Sequence, residues 1–282
     1  MNQRSTWNRS AQLVVVLLCA LTLKLYYSTA SANQLRWILA PTTAFVELVS
    51  RTPFEFESHA GYISSDRTFL IAGSCAGVNF LITAFLMLSL RKLWRDRSQN
   101  IVWKFIPSAA LIAYLATLVA NTVRISTALR LRRLPPEISW LSPNQLHRFE
   151  GILIYFGFLL LLFMVSEKMS SENASGLPPH ACCPRGDPGL FRQSFFPLLM
   201  YYATMLGIPL ANGAYRQGTD FWEHSLFVLL TPLLLILPLA TFCLYRDERA
   251  SVSAKLGAAT RTIRRRSERT DIRVKTPGLA QE

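Results

Sequence analysis

The sequence predicts an all-α fold, a polytopic integral membrane helical bundle of about six transmembrane helices with both termini cytoplasmic. Two observations carry the prediction. Apolar residues, 51% of the chain, are gathered into blocks of about 15 to 20, the length that carries a helix across ~30 Å of hydrocarbon. The basic residues that give the chain its net charge of +13 sit between alternate blocks. A soluble chain this basic would point to nucleic acid, but here charge and apolar residues are segregated. No polar stretch is long enough for a separate soluble domain, and no internal repeat stands out.

The six blocks are roughly 11–28, 76–91, 105–123, 149–166, 194–211 and 223–245. The first ends at "STASA" (28–32), which also offers an A-x-A-like signal-peptide end; an uncleaved first helix is the expectation, and the segment after Asn33 is outside either way. Arg4 and Arg9 precede the first block, and Arg91, Lys92, Arg95, Arg97 and Lys104 separate the second from the third. Lys168, Arg185 and Arg192 separate the fourth from the fifth, and the tail after the sixth is arginine-rich. With six spans these groups fall on one side, which the positive-inside rule makes cytoplasmic. The stretch "LRWILAPTTAFVELVS" (35–50) is apolar enough to be weighed as another span, but Pro41, Glu47, Arg36 and Arg51 predict an amphipathic helix on the outer face. Next, "FEFESHAGYISSDRTFLIAG" (54–73) alternates in places like a short β-hairpin, with a plain loop as the alternative.

The polar segments carry less chemistry. The linker 167–193 is rich in Gly, Pro and Ser, and its vicinal Cys182 and Cys183 cannot easily spread with His180 around a tetrahedral ion. "RTIRRRSER" (261–269) lacks interleaved aromatic residues, so the tail reads as an anchor on anionic membrane lipids, at about 1 kcal/mol per basic residue near the surface, with no nucleic-acid partner.

Of five cysteines, only Cys75 falls at the outer boundary, so it has no partner there for a structural disulfide. A packing role is open to it, since free cysteines are commonly buried and inert. Its setting, "AGSCAGVNFLI" (72–82), favours a nucleophile: it is expected to open a helix beginning near Ser74 or Ala76, where backbone N–H groups favour a thiolate. Gly73 and Gly77 are expected to clear room beside the sulfur. A nucleophile needs a base and a holder of negative charge. "ANTVRIST" (120–127) places Arg124 at the outer end of the third span, in a connection whose arginines run against the positive-inside trend. Snorkelling to the headgroups is the other use of such an arginine. "LHRFEGILIYF" (146–156) sets His147 and Glu150 at i, i+3, on one face of the fourth span as it begins. Cys75, Arg124 and His147 thus lie at similar depth on three successive spans, positioned to converge in one outward-facing pocket.

With "GSCAGVNF", "NTVRI" and "HRFEG" in this order and spacing, the segment 10–166 resembles the exosortase/archaeosortase group of membrane transpeptidases, and is most similar to the exosortase K type. The resemblance implies that Cys75 is the nucleophile, Arg124 the oxyanion stabiliser and His147 the general acid/base, with Asn121 and Glu150 in support. It also implies the plasma (inner) membrane, with the active site facing the periplasm or exterior. The partners it implies are secreted proteins with a C-terminal sorting signal, and a glycan or lipid-linked surface acceptor. No metal or organic cofactor is implied. On this reading 1–166 is the membrane core, 167–193 a cytoplasmic loop, 194–245 two additional helices and 246–282 a basic cytoplasmic tail; the additional helices and the tail extend beyond the part that resembles the family. A small-solute transporter, a transferase without a cysteine intermediate, and a cysteine protease that uses water as acceptor are the competing readings.

Overall fold

A computed structural model describes residues 3–95, 99–132, 143–175, 189–213, 216, 221–238, 241 and 245. His180, Cys182, Cys183 and Cys243, and the basic tail from 246 onward, lie outside the described residues. The architecture is all-α and membrane-embedded. Among the described residues, five helical segments are long and apolar enough to cross a bilayer: Asn8–Thr29, Gly73–Arg95, Lys104–Leu131, Gln145–Met169 and Phe221–Pro238.

Helix α1 (Gln3–Thr29) begins the bundle, and α2 (Arg36–Ser50) follows after one turn. A three-stranded antiparallel meander comes next, with β1 (Phe54–Glu57), β2 (Gly61–Ser64) and β3 (Leu70–Ile71). The long helices α3 (Val78–Arg95), α4 (Gln99–Leu131) and α5 (Pro143–Ser175) form the core, followed by α6 (Gly189–Tyr202), α7 (Ile208–Ala211) and α8 (Phe221–Pro238). Helix α3 is central: 67% of its apolar window is buried, against 17% for α1, whose Val14, Leu18 and Leu21 remain exposed as a lipid-facing side requires. Polar contacts fix the neighbours. Arg9 and Lys24 of α1 donate to the Leu93 carbonyl and to Asn79 Oδ1 of α3, each at 2.8 Å. Arg91 of α3 grips both carboxylate oxygens of Glu167 on α5 at 2.7 and 2.8 Å.

The fifth apolar block departs from a plain spanning helix. Phe195–Ala211 is a shorter apolar helix, and a π-helical turn at Ala203–Gly207 widens it between α6 and α7. Pro209 supplies the reason: it has no N–H to bond the carbonyl of residue 205, and a loosened turn absorbs the loss. Within that turn Thr204 Oγ1 lies 2.7 Å from Thr83 Oγ1 of α3.

The stretch 35–50 is a helix, as its pattern predicts, but its seat differs from one on the outer surface. Tyr114, midway along α4, donates to the Trp37 carbonyl at 2.8 Å, and the two rings stack at 5.8 Å. Ile38, Leu39, Thr42, Thr43 and Val46 face the core, while Trp37, Phe45, Leu48 and Val49 stay exposed, so α2 is apolar on both sides. It is therefore packed into the bundle against α4. The helix ends at Arg51 in the left-handed region, and Glu47 Oε1 accepts the Phe54 N–H at 2.7 Å, which launches β1.

The alternation of 54–73 produces strands. Phe54 pairs with Ser64, Phe56 with Tyr62 and Tyr62 with Ile71, while the Phe56 and Tyr62 rings meet at 5.0 Å. Gly61, at φ +125°, is required: a Cβ there would stand 2.4 Å from the Ile71 carbonyl oxygen. Between β2 and β3, Asp66 accepts the Ser64 hydroxyl, the Thr68 N–H and the Thr68 hydroxyl, a closed polar turn. Arg132, one residue past α4, donates to the Thr68 carbonyl and ties this turn to the bundle. The meander hands the chain directly to the segment that bears Cys75.

Candidate active site

Cys75 does not open an α-helix, as its position in the sequence suggests. It lies in a single 3-10 turn, Gly73–Ala76, where its N–H bonds the Ala72 carbonyl at 2.9 Å. Gly77 follows at φ +72°, a left-handed conformation that interrupts helical continuity, and α3 starts at Val78. The thiol is half-buried and free.

The glycines have a different employment from the one expected of them. A Cβ on Gly77 would meet Thr117, Asn121 and the Tyr155 hydroxyl at 3.2 to 3.3 Å, and one on Gly73 would meet Leu35 at 3.3 Å. They make room for the protein's own side chains beneath the Cys75 turn.

What packs against Gly77 is a hydrogen-bonded run across three elements. Asn121 of α4, fully buried, donates from Nδ2 to the Cys75 carbonyl at 2.6 Å and accepts the Tyr155 hydroxyl on Oδ1 at 2.8 Å. Arg124, one turn further along α4, donates from Nη1 to that same hydroxyl oxygen at 3.2 Å. Its Nη2 meets His147 Nε2 at 3.2 Å, and His147 Nδ1 stands 3.6 Å from Glu150 Oε2. The guanidinium carbon lies 5.3 Å from the Tyr155 ring centroid, and that ring stacks on Phe80 at 5.2 Å. The Cys75 thiol and the Glu150 carboxylate are within electrostatic range of the Arg124 guanidinium.

The helical period explains the assembly. Thr117, Asn121 and Arg124 are spaced i, i+4, i+7 on α4, while His147, Gly151 and Tyr155 are spaced i, i+4, i+8 on α5, so each set forms one facing row. Gly151 leaves room on α5 for the cation: a Cβ there would lie 2.9 Å from Arg124 Nε. Helix α4 continues to Leu131, so Arg124 is two turns inside the helix and half-buried. This differs from an arginine free to snorkel at a helix end.

The donors and acceptors fix the imidazole. A guanidinium only donates, so His147 Nε2 accepts from Arg124, and the ring proton belongs on Nδ1, facing Glu150. His147 is exposed with its side chain 46% accessible, whereas that of Glu150 is 7% accessible. Both Glu150 oxygens and Arg124 Nε are buried without a hydrogen-bond partner, and the two side chains are in electrostatic range of one another.

The five residues singled out from the sequence, Cys75, Asn121, Arg124, His147 and Glu150, therefore come together. Tyr155 and Gly151 were missed, although their spacing from His147 on the same helix face marks them. Of the other described histidines, His59 Nε2 lies 3.5 Å from Glu57 at the β1–β2 turn, and His224 is in electrostatic range of Arg148. Among the described residues no group of three or more His, Cys, Asp and Glu side chains is arranged to hold a metal.

Fold and site together define a membrane helical bundle with a cysteine turn, an arginine and a histidine joined at one end of its core. No family model, curated protein or solved structure matches the chain.

Proposed function

We propose that the protein is an exosortase-type cysteine transpeptidase. It cleaves C-terminal sorting signals of secreted proteins through an acyl-thioester and transfers them to a glycan or lipid-linked acceptor at the cell surface. It resides in the plasma (inner) membrane with its site facing the exterior or periplasm. The single observation that carries the reading is the run from the Cys75 carbonyl through Asn121, Tyr155 and Arg124 to His147. It ties the turn that carries the Cys75 thiol to a fixed cation and an imidazole, groups suited to acyl transfer.

The chemistry runs as follows. The Cys75 sulfur, as thiolate, attacks the scissile carbonyl carbon, and the carbon–sulfur bond forms as the carbonyl π electrons move to oxygen. Arg124, permanently charged and with N–H groups beyond those bound to Tyr155 and His147, holds that oxyanion. Collapse breaks the carbon–nitrogen bond, and the departing amine takes a proton from His147 in its protonated form. The acceptor then attacks the thioester as His147 takes its proton, and the carbon–sulfur bond breaks to return the thiolate. Glu150 compensates the positive charge that the imidazole carries before the first half and regains in the second, the ring being neutral between them. A substrate tethered by its own membrane helix arrives by lateral diffusion and is held at high effective concentration beside the sulfur.

The reading is tested by expressing wild type, Cys75→Ser and Arg124→Gln with secreted substrates that end in a motif, a hydrophobic helix and a basic tail. Both variants should leave the sorting signal attached. Normal processing by Cys75→Ser would return the transporter and cysteine-free transferase readings to the front.

A further inference from the structure

Tyr155, like Asn121, neither supplies charge nor meets the substrate in the mechanism above. Its hydroxyl is nevertheless the joint of the whole assembly. The Cys75 carbonyl can only accept and the Arg124 guanidinium can only donate, so both ends of the chain are chemically fixed. Asn121 must therefore present its NH₂ to Cys75, which leaves its oxygen to accept. Tyr155 must then donate to that oxygen and offer its lone pair to Arg124. Only one arrangement of protons satisfies all three bonds, at 2.6, 2.8 and 3.2 Å. The chain is a strut rather than a proton relay, because no member can reverse its polarity without leaving an end unpaired. Its surroundings immobilise it: the Tyr155 ring is stacked on Phe80, Asn121 is fully buried, and Gly77 lets all of them reach beneath the Cys75 turn.

From this geometry we propose that Tyr155 is a positioning residue that locks the Arg124 guanidinium at a set distance from the Cys75 sulfur. The catalytic meaning of that distance rests on the transpeptidase reading, whereas the distance itself does not. Without the hydroxyl, Arg124 keeps its charge and its bond to His147 but loses its hydrogen-bonded link to the turn that carries the nucleophile.

The test uses two thiol reagents of matched size and opposite charge. They are the anionic sulfonatoethyl methanethiosulfonate and its cationic trimethylammonioethyl counterpart. The full chain is prepared with Cys19, Cys182, Cys183 and Cys243 replaced by alanine, so that only Cys75 reacts. A guanidinium held beside the sulfur favours the anionic reagent, by about tenfold for one unit charge near a partly exposed site. Arg124→Gln sets the ratio of rates without that charge. Tyr155→Phe, which keeps the ring and its stacking, should bring the ratio down toward the Arg124→Gln value. Asn121→Ala cuts the same strut at its other joint and should do likewise, and the two together should go no further than either alone. A general loss of packing would change both reagents' rates in parallel and leave the ratio in place. An unchanged ratio in Tyr155→Phe, or equal ratios in wild type and Arg124→Gln, overturns the proposal. In substrate processing Tyr155→Phe should lower kcat by about tenfold or more with KM retained, the cost of a displaced catalytic group. A Cys75→Ser variant that still processes substrate would sink the transpeptidase reading while leaving the reagent ratio to decide the strut.

Discussion

Substituting Gly151→Ala separates stability from activity at this site. The added Cβ would stand 2.9 Å from Arg124 Nε, 3.6 Å from Cδ and 3.7 Å from Cζ. Ordinary contacts of that kind lie beyond about 3.4 Å, so the guanidinium must retreat by roughly 0.5 Å. Its bonds to Tyr155 and His147 are already 3.2 Å, so that retreat takes both past useful hydrogen-bond length. A misplacement of about 1 Å costs on the order of 100-fold in rate, so half of that should lower kcat by about tenfold. Stability should move the other way or stay level. Alanine in a helix interior is favoured over glycine by about 0.5–1 kcal/mol, and the obstructing atom belongs to a flexible side chain rather than to backbone. Thermal melts in detergent and substrate-processing rates on the same preparations supply both numbers. Full activity in Gly151→Ala would refute the reasoning, because it would mean that the placement of Arg124 does not limit the reaction.

Other substitutions divide the account into parts. Arg124→Lys keeps a charge but not the fork that reaches Tyr155 and His147 together, and processing should fall by about 100-fold or more, read as initial rates. Gly77→Ala adds a side chain at φ +72° against Thr117, Asn121 and Tyr155, and should destabilise by about 1–3 kcal/mol in a thermal or denaturant melt. Arg91→Ala strips Glu167 of its bidentate partner and should cost on the order of 1 kcal/mol, part of it recovered in the double variant with Glu167→Gln. The Ser64 hydroxyl, together with the Thr68 N–H and hydroxyl, holds the Asp66 carboxyl below the ordinary aspartate range. A group depressed in the folded state contributes stability above its unfolded value and loses it as pH falls through the folded one. Hydrogen exchange of the β2–β3 turn should therefore quicken only on the acid side of the ordinary aspartate range, and Asp66→Asn should remove that step.

The spanning helices were legible because one scale decides them: an apolar run either matches the bilayer or falls short. The block at 194–211 escaped that logic because Pro209 and the π-turn are local backbone events, invisible to mean hydropathy. The seat of α2 escaped for a related reason. Its sequence pattern marks a buried face, but only the Tyr114 contact says which neighbour covers it. At the site, Cys75, Arg124 and His147 stood out as polar groups in apolar company, while Tyr155 looked like one more ring in the apolar run of α5 and stacks on Phe80 of α3. Gly73 and Gly77 mark a need for room, but a missing side chain does not say that Leu35, Thr117, Asn121 and Tyr155 fill it. The helix start was placed too early since φ +72° at Gly77 is a backbone choice that glycine permits without announcing.

The central claim is that Cys75 forms an acyl bond. The decisive measurement is the mass of Cys75-containing peptides from wild-type membranes co-expressed with a sorting-signal substrate and acid-quenched during turnover, with and without hydroxylamine. A substrate-derived adduct on Cys75 that hydroxylamine releases is the predicted result. No adduct on Cys75 with a substrate that the wild type processes would contradict the account.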